Sequence, residues 1–168
     1  MAMNARCGRP SPEVIRHAVK VAIATRGWLT TAVTGDQLHP AAQFTYTTGL
    51  HTSRSHPELV VAALSAQVAH GLITAAVRLI DSGTRLEDGG QYSEIAEGLP
   101  IRARAVTPHN CAVTFGATRL WYGQDVPRLQ LVWPDTRGRF PGDPENQAQQ
   151  WQHLAGPMWH IHARHEGT

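Results

Sequence analysis

The sequence predicts an α+β domain in which a single mixed or mostly antiparallel β-sheet is covered by helices. Three observations predict it. Two stretches, 12–26 and 66–81, repeat apolar residues every three or four positions and carry helix-capping signals. Several short runs are dense in β-branched and aromatic residues. Hairpin-like pairs and helices are mixed along the chain, without the strict strand–helix alternation of an all-parallel sheet. The length of 168 residues suits one compact domain. We place it at residues 11–155, between a flexible leader at 1–10 and a His-rich tail at 156–168.

Each element has a local reason. Ser11 caps the first helix, Pro12 fits its first position and Glu13 favours its positive end. Val14, Ala18 and Ala22, with Ile15, Val19 and Ile23, make one apolar stripe that stops at Gly27. Residues 28–34 and 44–50 read as strands that pair antiparallel. Residues 51–56 show no hydrophobic period and read as a loop. The run 57–64 is almost continuously apolar, so a strand covered on both faces is expected. In the helix at 66–81, Val68, Leu72, Ala75 or Ala76, and Leu79 are expected to face the core. Residues 84–98 read as a polar loop around Asp88-Gly89-Gly90, with a short hairpin as the alternative. Residues 101–106 alternate in the manner of a half-exposed strand. Residues 112–122 carry helix and strand signals together and are read as a helix. Residues 129–133 form a strand that Pro134 stops, and 147–154 reads as a short helix.

Composition excludes several classes. Charged residues make up 17% of the chain, below the roughly 25% usual in soluble domains, so long charged disordered tails are not expected. The formal net charge of +2 is too small for a strong phosphate-binding field, and no nucleic-acid partner is expected. No apolar run approaches the ~20 residues that cross a bilayer, so no membrane partner is expected either. Arg6 and Arg9 flank no apolar segment of a signal peptide. Cys7 and Cys111 are read as free thiols, and the protein as cytoplasmic. Ten histidines predict a sharp rise in positive charge in mild acid.

Three segments in register carry a resemblance. They are Phe44-Thr45-Tyr46-Thr47-Thr48-Gly49-Leu50, then His56-Pro57-Glu58-Leu59-Val60-Val61, then Leu129-Gln130-Leu131-Val132-Trp133-Pro134-Asp135 with Gly138 and Phe140-Pro141. Over about residues 28–155 the chain resembles the bacterial family called domain of unknown function 4262. The resemblance implies a small intracellular domain with a shared pocket and no assigned activity. One departure is Gly142, where the family often has an aromatic residue after Phe-Pro.

The candidate site comes from the ends of these segments. His56 and Glu58 are two apart and share a strand face, the pairing of a general base with an orienting acid. Holding backbone groups at a loop-to-strand cap is the competing role. Tyr46 and Thr48 share a face, and Gly49 lets the chain bend or a ligand approach. Gln130, inside an apolar strand, needs partners and is either a clamp or a ligand contact. Trp133 and Asp135 close the segment, Asp135 also suiting a turn. His160, His162 and His165 have the imidazole spacing of a weak metal site. No phosphate loop, dinucleotide glycine motif or nucleophile elbow occurs, so no cofactor is named.

Two functional classes follow. One is a small enzyme acting on a small molecule or peptide, with His56 as acid/base, Glu58 orienting it, and Tyr46, Thr48, Gly49, Gln130, Trp133 and Asp135 as substrate contacts. The other is a non-catalytic module for a protein partner, toxin-neutralising or regulatory, anchored by Trp121, Tyr122, Trp133, Trp151 and Trp159. Metal or haem handling through the histidines is a third reading.

Overall fold

The structure, a computed structural model, describes residues 10–34, 43–106, 115–146 and 152. In chain order the elements are α1 (Pro12–Arg26), β1 (Leu29–Val33), β2 (Phe44–Thr48), α2 (Leu50–Arg54), β3 (Glu58–Ala62), α3 (Ala66–Asp81), β4 (Gln91–Tyr92), β5 (Ile101–Val106), α4 (Gly116–Tyr122) and β6 (Arg128–Val132). The strands form one open sheet in the order β1-β2-β3-β6-β5-β4. All neighbours are antiparallel except β3 and β6, which are parallel. The class is α+β with a mixed sheet, as the sequence predicts. Among the described residues no helix is long and apolar enough to cross a membrane.

Two apolar layers sandwich the sheet. On one face, Ala69, Ile73, Ala76 and Val77 of α3 pack on Leu59, Val61, Leu129, Leu131, Ile101 and Ala103. On the other, Phe115 and Ala117 at the start of α4, with Phe140, pack on Phe44, Tyr46, Val60, Ala62, Val106 and Val132; Ile15 of α1 joins from outside. Strands β2, β3 and β6 are buried at every position. A fully buried Leu or Val contributes about 1.5–3 kcal/mol, so these three central strands anchor the fold. They also carry the site.

α1 has the expected ends: Ser11 Oγ accepts from Val14 N–H, and Gly27 closes it at φ 86°. Three readings need correction. The fully buried residues of α3 are Ala69, Ile73, Ala76 and Val77; of the stripe read in the sequence, Leu72, Ala75 and Leu79 pack part-buried on the same core, and Val68 is exposed. This helix is apolar over much of its circumference, so periodicity reveals the helix without fixing its rotation. The presumed loop 51–56 contains α2, and the strand before it stops at Thr48 instead of Leu50. Of the 112–122 segment, which the sequence reads as a helix, residues 115–122 are described, and 116–122 are helical. Except for Pro10 and Gln152, the leader, the 147–154 helix and the His-rich tail lie outside the described residues.

Candidate functional site

Pairing registers decide which side chains meet. Tyr46 is opposite Val60, Val60 is level with Gln130, and Gln130 is opposite Arg104. Glu58 is level with Arg128, which is opposite Val106. Strand alternation puts Tyr46, Glu58, Arg128, Gln130 and Arg104 on one face, the side covered by α4. The strands predicted to carry the site therefore lie side by side.

Glu58, 1% exposed, is the centre of this edge. Thr47 Oγ1 donates to its Oε2 at 2.5 Å. Its Oε1 accepts from Gly49 N–H at 2.8 Å, His51 N–H at 3.1 Å and the Tyr122 hydroxyl at 2.7 Å. The β2–β3 pairing ends at Tyr46; beyond it the Thr47 hydroxyl takes over from backbone and accepts from Leu59 N–H at 2.8 Å. The carboxylate is thus held by the opening amides of α2, which need an acceptor there. Burial, with Glu58 as a further cause, pushes the Tyr122 hydroxyl up to about 12. Tyr122 therefore stays a protonated donor near neutral pH. His51 packs edge-on against its ring at 5.7 Å.

His56 does not pair with Glu58. Its Nδ1 lies 2.8 Å from Pro57 O, and its Nε2 accepts from Leu86 N–H at 3.2 Å. That pattern assigns the proton to Nδ1, which donates to the carbonyl. Both nitrogens are engaged with backbone groups in this structure. The His56–Glu58 contact expected from sequence spacing is not formed here: the two side chains reach different partners because His56 precedes β3 rather than lying in it. Burial, outweighing the backbone contacts that raise it, lowers the His56 pKa from the ordinary 6.5. The folded ring thus resists the proton that the unfolded ring takes up. Stability from this group is complete above the unfolded value and declines as pH falls through about 6.5 toward the lowered folded value. Chemical denaturation between pH 7 and 5 should show the parent losing stability faster than His56→Gln, by up to about 1.4 kcal/mol per pH unit. Equal slopes would mean that the ring titrates freely in the folded protein.

The remaining predicted residues divide. The Tyr46 hydroxyl accepts from Ala117 N–H at 3.0 Å, and burial raises its pKa. Thr48 Oγ1 meets Thr118 Oγ1 at 3.0 Å. Both tie β2 to α4. Gly49, taken as a place for ligand approach, is approached by the chain itself: a Cβ there would sit 2.6 Å from Gly27 O. Trp133 Nε1 donates to Ala62 O at 3.1 Å, on the end of β3. Asp135 holds a turn, accepting from Arg137 N–H at 2.9 Å, Arg139 N–H at 3.0 Å and Arg139 Nε at 2.9 Å. The Arg139 backbone amide is the main cause that keeps its carboxyl below the usual range. These two stand at the far end of β6 from Glu58.

Gln130 is both clamp and open contact. Its Nε2 donates to Gln152 O at 2.8 Å, while among the described residues its buried Oε1 has no hydrogen-bond partner. The Gln152 side chain continues the ladder, accepting from Trp133 N–H and donating to Trp133 O. Arg128 Nε is likewise buried without a partner. The same holds for Thr45 Oγ1, Thr74 Oγ1 and Asn146 Oδ1, but only Arg128 and Gln130 are neighbours on one strand face. Sequence reasoning missed Arg128, Thr47, Thr118, Tyr122 and Gln152 as parts of this site. Arg128 alone had a signal, an arginine opening an apolar strand.

His160, His162 and His165 lie outside the described residues. Among the described residues no group of three or more His, Cys, Asp or Glu side chains could hold a metal ion. In comparison with known proteins, residues 22–147 match the family model described as Domain of unknown function (DUF4262). No curated protein and no solved structure matches.

Proposed function

The chain belongs to the DUF4262 family, and since that description names no activity, we propose from the site itself that the protein binds a small polar molecule on the α4-covered face of the sheet. One observation carries this reading: the unpartnered Arg128 Nε and Gln130 Oε1, a donor and an acceptor two residues apart on β6. Leaving such buried groups unpaired costs about 1–3 kcal/mol each, and a bound molecule with the complementary groups recovers it. Phe115 and Phe140 supply apolar surface beside this polar pair, the mixture typical of small-molecule sites.

Recognition fits better than acid–base turnover. The His56 nitrogens are both engaged, and the Glu58 carboxylate already accepts four hydrogen bonds. The small-molecule reading also fits better than a docked protein. Gln130 is fully buried, and none of the three described tryptophans, Trp28, Trp121 and Trp133, is exposed. A cytoplasmic setting, with reduced thiols, belongs to the same proposal.

Gln130→Leu tests it. The swap removes the open acceptor while keeping the side chain near its size. Ligand-free stability should stay within about 1 kcal/mol of the parent, because one lost hydrogen bond is offset by a removed orphan. A library of polar small molecules read by thermal shift should contain compounds that raise the parent midpoint and leave the variant unmoved. If no compound separates the two proteins, the binding reading fails.

A further inference from the structure

We infer that the molecule recognised on this face is a small carboxylate carrying a hydrogen-bond donor on the neighbouring carbon, an α-hydroxy or α-amino acid. This deepens the binding reading above and rests on it. The state of Arg128 calls for an anion. Its guanidinium is 6% exposed and lies 4.4 Å over the Phe115 ring. Its ion pair is with Asp125, an exposed carboxylate, at 3.3 Å from one terminal nitrogen. An exposed partner is screened by water and compensates a buried charge poorly. The Nε–H, unpartnered, forms with a terminal N–H the side-on fork that fits both oxygens of one carboxylate.

The charges of the whole face point the same way. Arg104, directly opposite Gln130, points to the same side and, among the described residues, pairs with the exposed Asp88 at 3.5 Å. Arg102, two residues before it, covers Phe140 at 3.9 Å. Three guanidinium groups thus serve one sheet face. Its buried carboxylate, Glu58, makes no ion pair with Arg128 among the described residues. It is turned instead to amides of α2 and to the Thr47 and Tyr122 hydroxyls. Asp125, Asp88 and Glu58 match the three guanidinium groups in number, but both aspartates are exposed and Glu58 is turned away, so the buried Arg128 charge is left under-compensated and selects an anion.

Gln130 calls for a donor. Its Nε2 is committed to the Gln152 carbonyl, and turning the amide over would set two oxygens against each other, so Oε1 stays free to accept. The ligand must therefore donate as well as carry negative charge. Same-face neighbours on a strand are about 7 Å apart, and two long side chains reaching inward from that spacing suit a carboxylate with its donor on the next carbon. A simple fatty acid lacks the donor, and a neutral amide lacks the charge.

Ligand-observed NMR with lactate, alanine, propionate, lactamide and inorganic phosphate tests the assignment on the full chain. Lactate or alanine should bind, with propionate and lactamide at least tenfold weaker. Arg128→Lys keeps the charge and removes the fork, and should weaken lactate at least tenfold; Gln130→Leu should erase the preference for lactate over propionate. Either variant suffices if the other does not fold. Lactamide or phosphate binding better than lactate overturns the ligand class, as does silence from every carboxylate. If the library compounds still depend on Gln130 in that case, the binding reading survives the loss of its ligand class. Lactate binding equally to the parent and to both variants places the anion elsewhere and overturns the ligand class.

Discussion

Glu58→Ala should leave this protein at the edge of unfolding. The substitution strips the acceptor from four donors at once: the Gly49 and His51 amides and the Thr47 and Tyr122 hydroxyls. A buried donor left without a partner costs about 1–3 kcal/mol. Water entering beside the half-buried Tyr122 relieves part of this, so a net loss of about 4–5 kcal/mol is expected. That is a large share of the 5–15 kcal/mol or so that holds a domain together. Glu58→Gln should cost less, about 1–2 kcal/mol, because it keeps one oxygen for the three donors at Oε1 and turns its amide toward the Thr47 oxygen. Urea denaturation of the three proteins measures both steps. A loss below about 1 kcal/mol for the alanine variant would show that the network is idle.

That network explains which parts of the molecule were legible in the sequence. The helices at 12–26 and 66–81 announce themselves through caps and period, both local signals. The three strands of the site announce themselves through residue type, and their faces follow from alternation. α2 has no such signal. Its first amides are satisfied by a carboxylate on the following strand, so the five-residue helix exists only once β3 is in place. His56 misleads for a related reason. Spacing puts it beside Glu58, yet its ring partner is the Leu86 amide, thirty residues on. Arg128 and Tyr122 reach the site because β6 pairs parallel with β3, a crossover that spans α3, β4, β5 and α4. No local pattern in either segment encodes that pairing.

Gly49→Ala should be the second most damaging change, at about 3–5 kcal/mol, because it combines a backbone penalty with a collision. Gly49 stands at φ 121°, where L side chains are strained. Its missing Cβ would lie 2.6 Å from Gly27 O, 2.9 Å from Ile23 Cγ1 and 2.9 Å from Trp28 Cα. Two of those atoms are backbone, so no side-chain rotation relieves the overlap. Relief requires moving the end of α1 away from the start of α2, which also draws the Gly49 amide off Glu58. The effect should therefore overlap with that of the carboxylate: Gly49→Ala combined with Glu58→Gln should cost less than the two singles added together. Gly83→Ala is the control. Gly83 has φ 103° with nothing within 4 Å of its Cβ position, so it carries backbone strain without collision and should lose only about 1 kcal/mol. The close approach of Gly27 thus makes glycine at position 49 a packing requirement of the site's wall. Equal losses at positions 49 and 83 in urea denaturation would remove that requirement.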